Sequence, residues 1–202
     1  FISNSPPAEI YDTSGEFSVG VKVTNVGEED IEQGDGFVEV RGISPDMFSV
    51  TRNELTTEIP EIRGARKNAD GSVLQGGTDV VTFDGLDYAQ DAPGNLQIDN
   101  LQVRACYDYQ TRTSTMLCVK DGNIDGLKDN EICQVDAEKV TANSGGPIHV
   151  RGLRESSRGE KGIQISFEVA HVGDLANKWF PENDPDCDDK ITNNDLYKVG
   201  VT

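Results

Sequence analysis

The sequence is short of nearly everything that membrane spanning, nucleic-acid binding and catalysis draw on. No window approaches the roughly 18 consecutive apolar residues that a membrane helix needs, so no membrane insertion is expected within this chain. Basic residues number 18 against 36 acidic ones, a formal net charge of −18. A field of that sign repels nucleic acid and anionic lipid surfaces, and neither is expected as a partner. No stretch combines 3.6-residue apolar spacing with a cap, so helix should be scarce. A glycine-rich phosphate loop, a G-x-S-x-G elbow and an H-E-x-x-H pair are all missing. There is no C-x-x-C, and the two histidines lie far from most of the four cysteines, which disfavours zinc. No N-x-Ser/Thr sequon occurs, since Asn4-Ser5-Pro6 lacks the third-position hydroxyl.

What is present is a strand written twice. Residues 15–27 read GEFSVGVKVTNVG and residues 161–173 read KGIQISFEVAHVG. Phe17, Val19, Val21 and Val23 align with Ile163, Ile165, Phe167 and Val169, and both runs close on Val-Gly. Strict alternation of this length marks a half-buried strand, and its recurrence far along the chain points to a repeated all-β domain. At 202 residues, 35% apolar and a mean hydropathy of −0.50, the chain can hold two small sandwiches. The expected fold is therefore all-β, with two immunoglobulin-like β-sandwiches, residues 1–142 and 148–202. Asn143-Ser144-Gly145-Gly146-Pro147 is the expected linker. Further strands are expected over 36–40 and 47–51, with a long polar loop over 52–70. Residues 72–75 and 79–83 are expected to pair about Gly76-Gly77, and 96–109 with 115–120 as the longest hairpin. Both apolar sets of the repeat are expected to point inward.

The second copy has fewer than 30 residues after its repeat strand, where the first has about 100. Two or three strands cannot cover their own apolar face, so completion is expected either from residues beyond this sequence or from another copy. An opening at Phe1 without a charged-then-apolar leader fits a removed signal peptide or a start inside a longer protein. The N-terminal stretch, with Pro6-Pro7 and apolar Phe1, Ile2 and Ile10, is the candidate donor strand.

Four cysteines in an acidic all-β chain favour disulfides and an oxidising, extracellular setting. Folding CYDYQTRTSTMLC about Thr111-Arg112-Thr113 sets Cys106 opposite Cys118, the expected first bridge. By elimination Cys133 pairs with Cys187.

Three constellations are candidate chemistry. Ser144-Gly145-Gly146-Pro147 resembles the nucleophile loop of chymotrypsin-like proteases, but that family places its His and Asp before the Ser, whereas His149 and His171 follow it and Asn143 precedes it. No catalytic residue is expected. Asp184, Asp186, Asp188 and Asp195 fit positions one, three, five and twelve of a calcium loop, with Asp189 where the turn glycine belongs. Asp121, Asn123, Asp125 and Asp129 form a second acidic loop that has its glycine, Gly126, but whose Glu131 comes one residue early. Calcium is the expected cofactor, if any; otherwise these loops are solvated acidic connectors. Tyr107 and Tyr109, on one strand face, and Tyr11 are a candidate aromatic patch for a glycan, against the plainer reading of packing.

GEFSVGVKVTNVGEEDI, in which an alternating strand runs into N-x-G, resembles CARDB-type immunoglobulin-like domains. The order of the repeat, ACYDYQTRTSTMLCV, a Cys, a Gly-Pro linker and a second repeat resembles multi-domain secreted or membrane-anchored archaeal surface proteins. The resemblance implies structural and adhesive roles, with no catalytic residues. The expected function is a non-enzymatic extracellular structural protein, a homopolymer forming a cell-surface filament or layer by strand exchange. The alternative is a calcium-dependent carbohydrate-binding or adhesion module of a longer secreted or membrane-anchored protein.

Overall fold

The computed structural model describes residues 9–12, 15–88, 90–92, 94, 97–98, 100–119, 133–158, 162–173 and 187. The protein is all-β: among the described residues twelve strands form small antiparallel sheets, with two short 3-10 turns and no α-helix. The chain divides into two compact units, Phe1–Tyr109 with Lys178–Thr202, and Gln110–Asn177.

In the first unit, β1 (Phe17–Thr24) pairs with β6 (Thr78–Leu86), and β2 (Gly36–Arg41) lies between β3 (Thr56–Glu58) and β7 (Gln102–Tyr107). A small hairpin joins β4 (Arg66–Lys67) to β5 (Val73–Leu74). The register places Val19 opposite Phe83 and Val21 opposite Val81, so the inward face of β1 meets the inward face of β6. These four residues bury together with Leu86, and with Val38 and Val40 from β2, in one cluster. Connecting segments complete it. Phe48, on the 3-10 turn Pro45–Phe48, stands edge-on to Phe17 at 6.0 Å and to Tyr88 at 5.7 Å. Phe17, Val19, Val21 and Val23 therefore point inward, as the alternation predicts.

Asn25 ends β1 and ties three passes of chain together. Its Nδ2 donates to the carbonyls of Glu29 at 2.8 Å and Ile62 at 3.2 Å, and its Oδ1 accepts the Gly27 N–H at 3.0 Å. Its own N–H donates to Gly77 O. The side chain is buried, and the Ile62 carbonyl also accepts the Ile31 N–H at 3.0 Å. Gly27 must be glycine because a Cβ there would strike the Tyr109 ring.

Several sequence expectations are corrected here. Residues 47–51 hold the end of a 3-10 turn rather than a strand. The polar stretch 52–70 supplies Leu55, Ile59 and Ile62, which are among the most completely buried side chains. Single apolar residues spaced through charged neighbours gave no periodicity to read. β5 pairs with β4, not with β6 across Gly76-Gly77. β7 pairs with β2, so the expected 96–120 hairpin does not form.

In the second unit, β8 (Thr113–Thr115) pairs with β10 (Thr141–Asn143), and β11 (Ile148–Ser157) lies between β9 (Ala137–Glu138) and β12 (Ile163–His171). Residues 143–147 are not a linker between the units. Asn143 is the last residue of β10, and its amide holds Val150 by N–H···Oδ1 at 2.9 Å and Nδ2–H···O at 2.9 Å. The Gly-Gly-Pro sequence turns the chain between two neighbouring strands of one unit, and the division falls near 109–110 instead.

All four cysteines are bonded, but the pairs are Cys106–Cys187 and Cys118–Cys133. The physical reason is the topology: Cys106 stands on β7 opposite Phe37 of β2, which removes it from the register with Cys118. Each bridge lies within one unit. The Cys118–Cys133 bridge spans 15 residues, for which chain-entropy arguments give about 3 kcal/mol of stabilisation.

Two outcomes follow from this packing. Asn25→Ala takes a hydrogen bond from the Gly27 N–H and from the Glu29 carbonyl, leaves the Ile62 carbonyl with the Ile31 N–H alone, and should lower the stability of the first unit by about 1–3 kcal/mol in urea unfolding; a loss under about 0.5 kcal/mol would remove Asn25 from its role. Peptide mapping without reduction should recover Cys106 linked to Cys187 and Cys118 to Cys133, and a 106–118 link would contradict the fold described.

Candidate functional site

The most informative surface is the core-side face of the β12-β11-β9 sheet. Residues directly opposite one another in an antiparallel pair share a face. Glu155 stands opposite Ile165, Ser157 opposite Ile163, and Val150 opposite Val169. By the two-residue period Phe167 joins the same face. This face is closed over β11 and open along β12. Glu155 is 0% exposed, yet Ile163, Ile165 and Phe167 are 46, 42 and 46% exposed. The second repeat thus departs from expectation, since its apolar set does not point into a core. Among the described residues of this unit, the buried apolar ones are Cys118, Leu153 and Ala170. Met116, Leu117, Val119, Val140 and Val172 are exposed beside the three of β12.

What closes the β11 half is polar. Glu155 Oε2 accepts the Cys118 N–H at 2.9 Å and pairs with Lys139 Nζ at 3.0 Å. The Lys139 side chain is itself almost buried, its Nζ also donates to the Gln134 carbonyl, and its N–H donates to Leu153 O. The second oxygen, Oε1, is buried with no hydrogen-bond partner among the described residues. The Cys118 N–H, and then the Lys139 ammonium, hold the Glu155 carboxyl below the usual carboxylate range, against the opposing effect of burial. Sequence reasoning did not find this pair, since one Lys and one Glu sixteen residues apart carry no recognisable spacing.

The other candidates fare unevenly. Both calcium loops, Asp121, Asn123, Asp125 and Asp129, and Asp184, Asp186, Asp188 and Asp195, lie outside the described residues. Among the described residues no group of three or more His, Cys, Asp or Glu is placed to hold a metal ion. Of the candidate donor strand, Phe1 and Ile2 lie outside the described residues, and Ile10 is half-buried and belongs to no strand. Tyr107 and Tyr109 do come together, edge-to-face at 6.3 Å. Tyr109 is committed to the turn after β1, where its ring packs on Gly27 and its hydroxyl accepts the Glu28 and Glu29 N–H groups. The Tyr11 hydroxyl donates to Glu9 at 2.6 Å. Ser144 is tied into the strand ladder, its Oγ accepting the Arg112 N–H at 2.9 Å.

On the outer face of the other unit, Glu39 on β2 is nearly buried. It accepts Arg41 Nε at 2.7 Å, with Arg104 Nε 3.7 Å away. Arg104 in turn lies over the Phe37 ring at 5.3 Å. This row is packing between β2 and β7.

Comparison with protein-family models, with curated proteins and with solved structures finds no match. Among the described residues no helix is long and apolar enough to cross a membrane.

Glu155 makes a pH dependence that can be measured. Its native carboxyl titrates below its unfolded value, so its contribution to stability is complete above about pH 4.3 and is lost as the pH falls through the lower native value. Relative to Glu155→Gln, the wild-type advantage should be constant from about pH 7 to 5 and shrink below about pH 4. An advantage that grows on acidification would contradict the ion pair.

Proposed function

We propose that this chain is a non-enzymatic extracellular structural protein, a subunit of a cell-surface filament or layer assembled by strand exchange between copies. One observation carries this reading: among the described residues β12 is the last strand of its sheet, and its Ile163, Ile165 and Phe167 side chains are exposed. An edge strand with an uncovered apolar row is a template for another strand, and proteins that remain single copies blunt such edges with Pro, Lys or a bulge. β12 carries neither Pro nor Lys, and its bulge lies on the partner strand, between Arg151 and Arg154. Two disulfides support an oxidising, extracellular home. The likeness of the strand-and-turn pattern to CARDB-type immunoglobulin-like domains of archaeal surface proteins supports the structural role.

A second reading, a calcium-dependent carbohydrate-binding or adhesion module, draws on the exposed Tyr107 ring beside Tyr109. It requires Tyr107→Ala to weaken glycan retention, whereas the structural role requires no change in assembly.

Electron microscopy and sedimentation of the purified protein at rising concentration test the main reading. Filaments or sheets with a repeat of one subunit are expected. Particles that stay at the mass of one chain through millimolar concentration would contradict it.

A further inference from the structure

We infer that β12 pairs with the β12 of a second copy, antiparallel about a two-fold axis at Ser166, so that two three-stranded sheets join into one of six strands. The inference rests on the edge-strand reading proposed above and names the partner of that edge.

The free edge of β12 is set by which amides β11 uses. The Arg158 N–H donates to Gly162 O and the Val172 N–H to Pro147 O, at the two ends of the ladder. In an antiparallel pair the bonded residues recur at every second position, so Gln164, Ser166, Glu168 and Ala170 turn their backbone groups toward β11. The N–H and C=O groups of Ile163, Ile165, Phe167 and Val169 point the other way, where no strand pairs them among the described residues. The residues that offer these free backbone groups are the ones whose side chains form the part-exposed apolar row.

That pattern is its own complement. A two-fold axis at Ser166 sets Ile163 opposite Val169 of the second copy and Ile165 opposite Phe167, each contact occurring twice and all on one face. Gln164 then faces Glu168 of the second copy, so the only formal charge of β12 meets a neutral hydrogen-bonding side chain rather than its own image. Neighbouring registers are worse. An axis at Ile165 sets Val169 against Lys161, and an axis at Phe167 sets Ile163 against His171.

Charge also favours a second copy here. Residues 110–177, the second unit, carry ten acidic and eight basic side chains, in a chain that carries 36 and 18. Copies that meet through this unit oppose little net charge, whereas copies that meet through the first unit oppose nearly all of the −18. Because the contact joins identical surfaces, it closes on itself and gives pairs; a filament needs a second, different contact between the pairs.

The test uses the full chain with p-benzoyl-phenylalanine in place of Phe167, a position already exposed. Equal amounts of unlabelled and nitrogen-15-labelled chains are mixed, irradiated and mapped by mass spectrometry. Crosslinks from position 167 to residues 163–167 of the other isotopic form are expected, in particles that sediment at the mass of at least two chains. Crosslinks to any other segment of a second copy, residues 1–11 included, mean that a different surface covers the row. Crosslinks confined to one chain mean that its own residues cover it, and no crosslink in associated material means that copies meet elsewhere. Each of these three results overturns the inference, while filaments seen by microscopy would leave the structural role standing. Conversely, crosslinked pairs without filaments uphold the inference and sink the filament. A chain that stays at the mass of one copy through millimolar concentration ends both. Ile165→Pro removes an N–H that β11 does not use and should weaken pairing at least about tenfold, with the far-UV circular dichroism unchanged. Gln164→Glu sets an acid against Glu168 at both ends of the contact, and should pair at least about threefold more weakly than Gln164→Lys. Equal dissociation constants for those two variants would overturn the register.

Discussion

An alternating β-strand is stable only when its apolar side is kept from water, and the two units of this protein meet that constraint unequally. In the first unit β1 and β6 face β2, and connecting segments close the remaining gaps with Ile31, Phe48, Leu55, Ile59 and Ile62. The cluster is continuous because the turns are pinned from inside, with Asn25 satisfying the carbonyls of Glu29 and Ile62 where β1 ends. In the second unit the same kind of strand is present, but among the described residues the layer over it stops halfway. At about 25 cal/mol per Å² of apolar surface, three large side chains left nearly half exposed forgo several kcal/mol that covering them would return.

The part of that layer which is closed is held by an ion pair rather than by packing. Removing one partner of a buried pair is costly, because the other is left charged and dry. Glu155 fixes the Cys118 amide and Lys139 together, while the Cys118–Cys133 bridge restrains the chain on the far side of Cys118. The two devices give the unit a defined β11 side without a large core. The open β12 side is then available to something else.

The sequence disclosed local structure well and long-range pairing poorly. The strands β1, β2 and β12 are each legible from alternation, because a strand's two-residue period is written in its own residues. The inward set of β1 was legible too. The outward exposure of Ile163, Ile165 and Phe167 was not, since an identical alternation arises whether or not a second layer exists. Which strands pair depends on contacts between distant segments, and the nearest-neighbour assumption placed β7 against residues 115–120 when its partner is β2. That single error carried both disulfide pairings with it. The Ser144-Gly145-Gly146-Pro147 run misled in a similar way, since glycine and proline serve equally in a linker and in a tight connection within one unit. Of the candidate site, the alternation of the apolar row was legible, while its exposure and the pairing of Glu155 with Lys139 were not.

Strand exchange of the kind proposed requires the outer edge of β12 to be unprotected in one copy and protected between copies. Residue-resolved hydrogen exchange over residues 163–171, comparing dilute protein with assembled material, measures this most directly. The amides of β12 turned away from β11 should exchange at nearly unprotected rates in the dilute state and slow by about 100-fold or more on assembly. If those amides are already slow in dilute protein, or remain fast once copies have associated, the edge of β12 is not the surface through which this protein is completed.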